Sequence, residues 1–218
     1  MLSPQQIAQY ERDGLLVLPS FFSEGQVAEL KADLPRIIAM DRPELARSAD
    51  GEMRAALALH RYSEPFARFM HNPRLIDIGR QLLGGPIYCH QYKIVCKDPM
   101  GTMDFPWHQD YGNWADLDGM PEPQALNISI YLDPVTEFNG PVTFIPGSHV
   151  HGRIPTLVET PSGLENMTTL ARVNRAAIEK LVDAYGMVSP KGPTGTVAIF
   201  NNLTAHASTP NISPRTRH

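Results

Sequence analysis

Apolar and polar residues in the first third of the chain follow the period of α-helices, with one short apolar run among them. Two segments begin with a serine that is followed by a glutamine three residues later, a typical helix start, at Ser3 and Ser23. Glycines that can end a helix stand at Gly14 and Gly84. The pattern predicts these elements in chain order: a helix from Ser3 to about Gly14, a buried strand over 15–19, a second helix from Ser23, and a third helix over 64–83, interrupted near Asn72.

From Pro86 onward the period shortens, and the segments are rich in β-branched and aromatic residues. Twenty prolines and 16 glycines are also more than a helical bundle would tolerate. Together these features predict an α+β, mainly β fold in which N-terminal helices pack on a β-sandwich. The predicted elements of this part are strands over 87–95, 125–132, 142–145 and 196–200, and one helix over 174–185.

The length of 218 residues predicts a single domain that spans 1–218. Residues 41–62 are mixed and polar, and we interpret them as a loop or lid. Residues 150–190 form a long insertion between two predicted strands, and insertions of this length in a compact domain are typical of lids and binding loops.

The composition excludes several classes of protein. A formal net charge of −4 gives no basic footprint for nucleic acid. No apolar run approaches the length that spans a bilayer, and the N-terminus has no leader pattern, so no membrane partner is expected. Cys89 and Cys96 are expected to be reduced core thiols without a disulfide. We therefore expect a cytoplasmic protein that acts on a small molecule, as a monomer or a homodimer.

The strongest chemical pattern is His108-Gln109-Asp110, combined with a distant His206. On a strand, His108 and Asp110 would point to the same face, while Gln109 would point away. Two histidines and one carboxylate can hold an Fe(II) ion and leave its opposite positions open. A chance surface histidine beside an aspartate would give the same tripeptide, but aromatic flanks such as Phe105 and Trp114 are uncommon on a solvated face.

Further motifs extend this pattern over nearly the whole chain, and with them the sequence resembles the phytanoyl-CoA dioxygenase family. The likeness is greatest to its ectoine hydroxylases and related bacterial amino-acid hydroxylases. The motifs that carry it are Trp107-His108-Gln109-Asp110, Asp118-Gly119-Met120-Pro121, Asn139-Gly140-Pro141, Ile145-Pro146-Gly147-Ser148-His149 and the C-terminal run 206–217.

The resemblance implies a double-stranded β-helix (a jelly roll, cupin-like) with flanking N-terminal helices. It also implies Fe(II), with 2-oxoglutarate and O2 as co-substrates, and a role for several residues. His108, Asp110 and His206 would be the catalytic metal ligands. Arg217 would pair with the distal carboxylate of 2-oxoglutarate, with Arg215 as its rival. The same pocket would contain Ser208, Phe105 and Asn127, and the substrate would contact Gln91, Lys93 and Trp114.

The implied function is hydroxylation of an unactivated C–H bond of a small amino-acid-like substrate, with release of succinate and CO2. Related halogenases lack the carboxylate of the triad, so Asp110 favours a hydroxylase. Lys93 stands where the resemblance leads us to expect an arginine, which weakens the case for ectoine itself; its ammonium group could pair with a substrate carboxylate. Two alternatives stay open: the same chemistry on a larger natural-product or acyl-thioester substrate, and a non-catalytic metal-binding β-barrel.

Other residues are given structural interpretations. On the predicted strand 87–95, His90 would point away from Gln91 into the core. Trp107 is predicted to pack, and His149, which belongs to the Pro-Gly-Ser-His turn, to form a structural hydrogen bond. The remaining histidines show no partner pattern: His60, His71, His151 and His218. Because the family's co-substrate arginine begins the last barrel strand, we also expect further chain after His218.

Overall fold

The computed structural model describes residues 1–48, 51–159 and 170–218 of the chain. The helices are α1 (Pro4–Asp13), α2 (Glu24–Ile38), α3 (Glu64–Met70), α4 (Pro73–Leu83), α5 (Asp110–Leu117) and α6 (Arg175–Tyr185). The strands are β1 (Leu15–Leu18), β2 (Leu45–Arg47), β3 (Met53–Leu57), β4 (Lys93–Val95), β5 (Phe105–His108), β6 (Leu126–Ile130), β7 (Val142–Phe144), β8 (Thr156–Glu159), β9 (Leu170–Val173), β10 (Val197–Asn201) and β11 (His206–Ser208). Short 3-10 helices cover Leu59–Arg61 and Ser148–His151.

The helix boundaries follow the local chemistry of the sequence. The hydroxyl of Ser3 accepts a hydrogen bond from the backbone of Gln6, whose side chain in turn accepts from the backbone of Ser3, and the same box begins α2 at Ser23. The predicted third helix is divided into α3 and α4, because Asn72 caps a new start at Pro73. These predictions of helices are confirmed.

Two three-stranded antiparallel sheets form the centre of the molecule, in the orders β1-β10-β6 and β5-β11-β7. Their inner faces meet where Leu15, Phe144 and Phe200 pack together. The rings of Phe144 and Phe200 lie 4.9 Å apart, and both also contact the ring of His206. The two sheets therefore pack around His206, the first residue of β11.

The helices cover the other side of the first sheet. The largest apolar cluster joins α2, α3 and α4 to β1 and β10, with residues such as Phe22, Ile37 and Ile199 fully excluded from solvent. Within the described residues, no helix combines the length and the apolar character needed to cross a membrane.

The loop interpretation of residues 41–62 is wrong where that segment forms strands. Strands β2 and β3 form a hairpin that continues into a third sheet with β4. Met53, Ala55 and Ala56 of this hairpin are buried, so the segment belongs to the core. Its two strands are three and five residues long, which is too short for a clear alternation. Residues 49–50 lie outside the described residues.

Two further predictions need correction or completion. Only Lys93–Val95 of the predicted strand 87–95 is a strand. In the 150–190 region the predicted helix is confirmed as α6, and β8 pairs with β9. Residues 160–169 of that region lie outside the described residues, and its role as a lid stays a prediction.

Candidate metal centre and substrate site

His108 and His206 occupy neighbouring strands of the second sheet. His108 ends β5 and His206 begins β11, and the two residues face each other directly in the strand register. Both are buried, and their ring centroids lie 4.1 Å apart. The antiparallel pairing of two segments distant in sequence therefore brings the two imidazoles together.

Asp110 completes the triad from a different element. Its Oδ1 lies 3.7 Å from Nε2 of His108, and its Oδ2 lies 3.7 Å from Nε2 of His206. One ligand atom from each of the three residues falls within 4.8 Å of the others. Strand alternation is the wrong explanation of this geometry, because β5 ends at His108 and Asp110 is the first residue of α5. The positive end of a helix is a favourable place for a carboxylate.

The backbone orients both imidazoles. Nδ1 of His108 lies 2.7 Å from the carbonyl oxygen of Pro106, and Nδ1 of His206 lies 2.9 Å from that of Thr204. Because a carbonyl oxygen can only accept, each Nδ1 carries the proton and donates it. Each Nε2 then presents its lone pair to the centre of the triad, the arrangement typical of metal-ligating histidines.

The electrostatics of His108 and Asp110 favour the forms that bind a metal ion. Burial, followed by the nearby His206, lowers the pKa of His108 well below its ordinary value. Burial alone would raise the pKa of Asp110, but His206, His108 and Lys93 outweigh it and lower that pKa. Two neutral imidazoles and one carboxylate are the donor set that a divalent iron ion requires, so the residues fit this metal.

A second layer of polar contacts holds the triad. The side-chain amide of Asn127 on β6 donates to Oδ2 of Asp110 at 2.9 Å. Gln109 points away, as predicted, and is buried; its amide nitrogen donates to the carbonyl oxygens of Gly152 and Leu203 at 2.9 and 2.6 Å. Its amide oxygen accepts from the backbone of Ile154 at 2.8 Å. This residue therefore joins the His108–Asp110 segment to two distant loops.

The end of α1 supports the turn that precedes His206. The hydroxyl of Thr204 donates to the carbonyl oxygen of Gly14 at 2.9 Å. Gly14 has φ +63°, and a Cβ there would lie 2.4 Å from that hydroxyl oxygen. Only glycine combines this conformation with so close an approach, so the predicted helix end also shapes the site.

Two of the predicted co-substrate residues lie on the strands that carry the triad histidines. Ser208 is buried on β11 and pairs in register with Phe105 on β5. The ring of Phe105 lies 6.5 Å from that of His108, measured between centroids. Its centroid also lies 5.0 Å from the ammonium nitrogen of Lys97. Phe105 is therefore close to both a triad histidine and a buried cation.

Lys97 was absent from the residues predicted for the site. Its ammonium group is almost fully buried and donates to the carbonyl oxygens of Met103 and Thr209 at 2.8 and 3.0 Å. Burial, followed by the charge of Arg217, lowers its pKa to about 7. A lysine directly after the apolar run Ile94-Val95-Cys96 is the signal that could have identified it.

Arg217 lies beside Lys97. The backbones of the two residues exchange hydrogen bonds of 2.8 and 3.0 Å. The guanidinium group of Arg217 donates to the carbonyl oxygens of Asn139 and Gly140, and burial lowers its pKa. Arg215, in contrast, is exposed. Among the described residues, no carboxylate forms an ion pair with Lys97 or Arg217, so these two neighbouring cations are a candidate anion site.

The predicted substrate residues lie in a second, more exposed region. The ammonium nitrogen of Lys93 lies 3.2 Å from Oε1 of Gln91. Trp114 is buried on α5, with its ring 5.3 Å from that of His90. The prediction that His90 lies in the core is wrong, because residues 87–92 form no strand; His90 is half-buried and contacts Asp118.

The remaining predictions have mixed outcomes. Trp107 packs against an apolar cluster around Ile145, as predicted. His149 has the predicted structural role, since its Nε2 lies 3.0 Å from the carbonyl oxygen of Glu11. His218 does have a partner, Asp133, 2.8 Å from its Nδ1.

The two cysteines and one further histidine complete these outcomes. Both cysteines are free, but Cys89 is exposed rather than buried in the core. His151 lies 2.9 Å from the hydroxyl of Tyr185, although no partner is predicted for it.

Comparison with known proteins decides the family. The model of the phytanoyl-CoA dioxygenase (PhyH) family matches residues 10–218. The chain belongs to the phytanoyl-CoA dioxygenase family. The family predicted from the sequence motifs is confirmed.

Individual relatives agree with this assignment. The chain is 32% identical to the ectoine dioxygenase of Halomonas elongata over 225 residues, which cover 99% of the chain and 68% of that protein. It is 35% identical to the L-proline trans-4-hydroxylase of Streptomyces griseoviridis over 219 residues, which cover 96% of the chain and 81% of that enzyme.

A solved structure agrees as well. The crystal structure of EctD from S. alaskensis with 2-oxoglutarate and 5-hydroxyectoine is similar with a TM-score of 0.85 and 32% identity, covering 99% of the chain and 73% of that protein. The predicted jelly-roll fold with flanking helices is confirmed.

Proposed function

We propose that this chain is a non-haem Fe(II)- and 2-oxoglutarate-dependent dioxygenase that hydroxylates an unactivated C–H bond of a small amino-acid-like substrate, releasing succinate and CO2. The observation that carries the proposal is the geometry of the triad. His108, Asp110 and His206 converge with both imidazole Nε2 atoms directed to one point. Three protein ligands on one face of an iron ion are typical of this class of oxygenase.

The residues of the triad would hold the metal through Nε2 of His108, Nε2 of His206 and a carboxylate oxygen of Asp110. When bound, Fe(II) supplies the oxidising chemistry, with 2-oxoglutarate and O2 as co-substrates. Asn127 fixes the rotamer of Asp110 by its hydrogen bond, so one carboxylate oxygen is oriented before the metal arrives. The same carboxylate favours hydroxylation over halogenation.

The co-substrate site is the anion site beyond Phe105. A dicarboxylate that reaches from the triad past Phe105 would meet Lys97 and Arg217 with its distal carboxylate. A planar guanidinium suits a carboxylate, and the buried ammonium of Lys97 adds a second charge-assisted contact. Burial of Arg217 beside Lys97 and exposure of Arg215 support Arg217 as the co-substrate arginine. Ser208 and Phe105 would complete this pocket.

The substrate site is the region of Gln91, Lys93 and Trp114. The charge of Lys93 contributes to the lowered pKa of Asp110, so its ammonium group lies within electrostatic range of the triad. There it could pair with a substrate carboxylate, while Trp114 provides an apolar wall. The relatives named for ectoine and L-proline support a small, polar, amino-acid-like substrate.

A mass-spectrometric screen tests the proposal. The purified protein is incubated with Fe(II), ascorbate and 2-oxoglutarate together with free amino acids, cyclic imino acids and ectoine-like solutes. We expect one of these compounds to gain a single oxygen atom, with succinate formed in equal amount. The alternative is a non-catalytic metal-binding protein. It would be favoured if none of the compounds led to succinate and the protein bound a metal ion tightly in a site closed to other ligands.

We also propose that the protein is cytoplasmic and acts as a monomer or a homodimer. The two free cysteines support a reducing compartment. Light scattering after size-exclusion chromatography tests the oligomeric state, and fractionation of the source cells tests the location. A stable assembly larger than a dimer would contradict the proposed oligomeric state. Recovery of the protein outside the cytoplasm would contradict the proposed location.

A further inference from the structure

A row of hydrogen-bonded polar side chains runs along the substrate side of the site. It consists of Lys93, Gln91, Asp118 and His90, and we call it the polar row. Lys93 donates to Oε1 of Gln91 at 3.2 Å, and Nε2 of Gln91 lies 3.5 Å from Oδ2 of Asp118. The same Oδ2 lies 2.9 Å from Nε2 of His90. The amide of Gln91 therefore lies between one cation and one anion and contacts both.

Asp118 is held in place by its backbone and by its neighbours. It ends α5, and its backbone N–H donates to the carbonyl oxygen of Trp114 at 3.1 Å. Met120 donates to the same carbonyl at 3.0 Å, and the chain reverses through Gly119 at φ +70°. His90 orients the carboxylate and itself contacts the ring of Trp114. Asp118 is thus a fixed carboxylate beside an aromatic wall.

One oxygen of this carboxylate is available to a ligand. His90 and Gln91 both donate to Oδ2, whereas Oδ1 has no hydrogen-bond donor among the described residues. The side chain is 38% exposed, and no lysine or arginine of the described chain forms an ion pair with it. A carboxylate that is oriented by two donors on one oxygen, and has its other oxygen free, is suited to bind a cation from solution.

The charges of the polar row match those of a zwitterion. Lys93 offers a positive group and Asp118 a negative group, at opposite ends of the Gln91 amide. A free amino acid carries a carboxylate and a cationic nitrogen on one carbon atom, so it can place one charge against each group. A substrate with only one of the two charges would leave either Asp118 or Lys93 without an oppositely charged group of the substrate in the complex.

We propose that Asp118, oriented by His90, binds the cationic nitrogen of a zwitterionic substrate whose carboxylate pairs with Lys93. This inference rests on the proposed function and names the substrate class of the same site: amino acids, imino acids and cyclic amidinium carboxylates. Asp118 is a specificity residue that touches the substrate, and His90 is a positioning residue that acts through it.

Equilibrium binding measured by calorimetry tests the inference without turnover. The protein is loaded with Fe(II) and 2-oxoglutarate under anaerobic conditions and titrated with the free amino acids, L-proline and ectoine. Each compound of this set that binds is then compared with its N-acetylated form, or, for ectoine, with the amide of its carboxylate. We expect at least one zwitterion to bind and its singly charged form to bind at least about tenfold more weakly.

Matched variants assign the effect to Asp118. Asp118→Asn removes the charge and keeps the shape; it should weaken binding of the zwitterion at least about tenfold and leave binding of an N-acetylated form, which lacks the cation, nearly unchanged. Asp118→Glu keeps the charge and should retain part of the affinity. Asp116→Asn is the control, since Asp116 lies on the same helix and pairs with Arg153 instead. His90→Gln should cause a smaller loss than Asp118→Asn.

Three results would overturn the inference: equal affinity of Asp118→Asn and wild type for the zwitterion, equal affinity of wild type for the zwitterion and its N-acetylated form, or no binding by any zwitterion in the set. Succinate formed slowly from 2-oxoglutarate without substrate reports on the proposed function separately. If wild type forms it, the oxygenase chemistry stands whatever the binding results are.

Discussion

Lys93 and Lys97 are four residues apart in the sequence, yet their ammonium groups have opposite surroundings. Lys97 is buried, donates hydrogen bonds to two backbone carbonyl oxygens and lies beside Arg217. Lys93 is exposed and contacts one side-chain amide. The first cation is positioned in advance, which suits a co-substrate that stays the same in every turnover. The exposed ammonium group of Lys93 can change its position when a substrate binds. This difference between the two lysines distinguishes the proposed co-substrate region from the proposed substrate region.

The variant Lys97→Met should have the largest effect on this comparison. It removes a charge-assisted contact to the distal carboxylate, so we expect 2-oxoglutarate to bind about 10- to 100-fold more weakly. Removing a buried charge stabilises the folded protein, whereas losing two hydrogen bonds destabilises it. Because these effects oppose each other, the free energy of unfolding should change by only about 1 kcal/mol. Calorimetry and urea unfolding measure the two quantities. Unchanged binding of 2-oxoglutarate would remove Lys97 from the anion site.

The pH dependence of co-substrate binding should follow the same lysine. Because its pKa is lowered to about 7, Lys97 loses its proton as the pH rises above that value in the ligand-free protein. Only the protonated form attracts a carboxylate, so the dissociation constant for 2-oxoglutarate should be flat below about pH 7. Above it, the constant should rise by up to about tenfold per pH unit. A titration between pH 6 and pH 9 measures this, and the Lys97→Met variant should lack the rise; an identical rise in that variant would refute the assignment.

The variant Lys93→Met should have a smaller and more selective effect. We expect the KM for the hydroxylated substrate to rise about tenfold, because an exposed charge pair with a carboxylate is lost. The KM for 2-oxoglutarate and the thermal midpoint should stay near the wild-type values, since Lys93 is exposed. Steady-state kinetics with each reactant varied in turn measures both constants. An increase in the KM for 2-oxoglutarate alone would reverse the assignment of the two lysines.

Added salt should produce the smallest difference between the two regions. Ions screen an exposed charge more than a buried one. Between 0.05 and 0.5 M sodium chloride we therefore expect the KM for the substrate to rise about two- to threefold, and the dissociation constant for 2-oxoglutarate to rise less. If both constants rise in the same proportion, the two lysines are equally exposed to solvent in the working enzyme.

The sequence motif singles out the three residues that the structure brings together, because the motif is local and its flanks are distinctive. Strand alternation is the wrong reason for the place of Asp110: the expected strand ends at His108, and a helix start brings the carboxylate to the triad. The sequence motifs do not identify Lys97, because its partners are distant along the chain. The carbonyl of Thr209 and the neighbouring Arg217 lie more than one hundred residues away along the chain.

The remaining errors have a common physical cause. Short strands give weak periodicity, so the hairpin of β2 and β3 was interpreted as a loop. The strand predicted over 87–95 extends only from Lys93 to Val95, which placed His90 on the wrong side. Both cases depend on tertiary pairing, which overrides local preference in short segments.

The most direct test of the account is succinate formation by the Asp110→Ala variant. This change removes one ligand and leaves both histidines, whereas Asp116→Ala on the same helix serves as its control. With Fe(II), ascorbate, 2-oxoglutarate and the substrate found in the screen, Asp110→Ala should form succinate and hydroxylated product at the rate seen without protein, while Asp116→Ala should match wild type. Wild-type rates in Asp110→Ala would contradict the assignment of the triad.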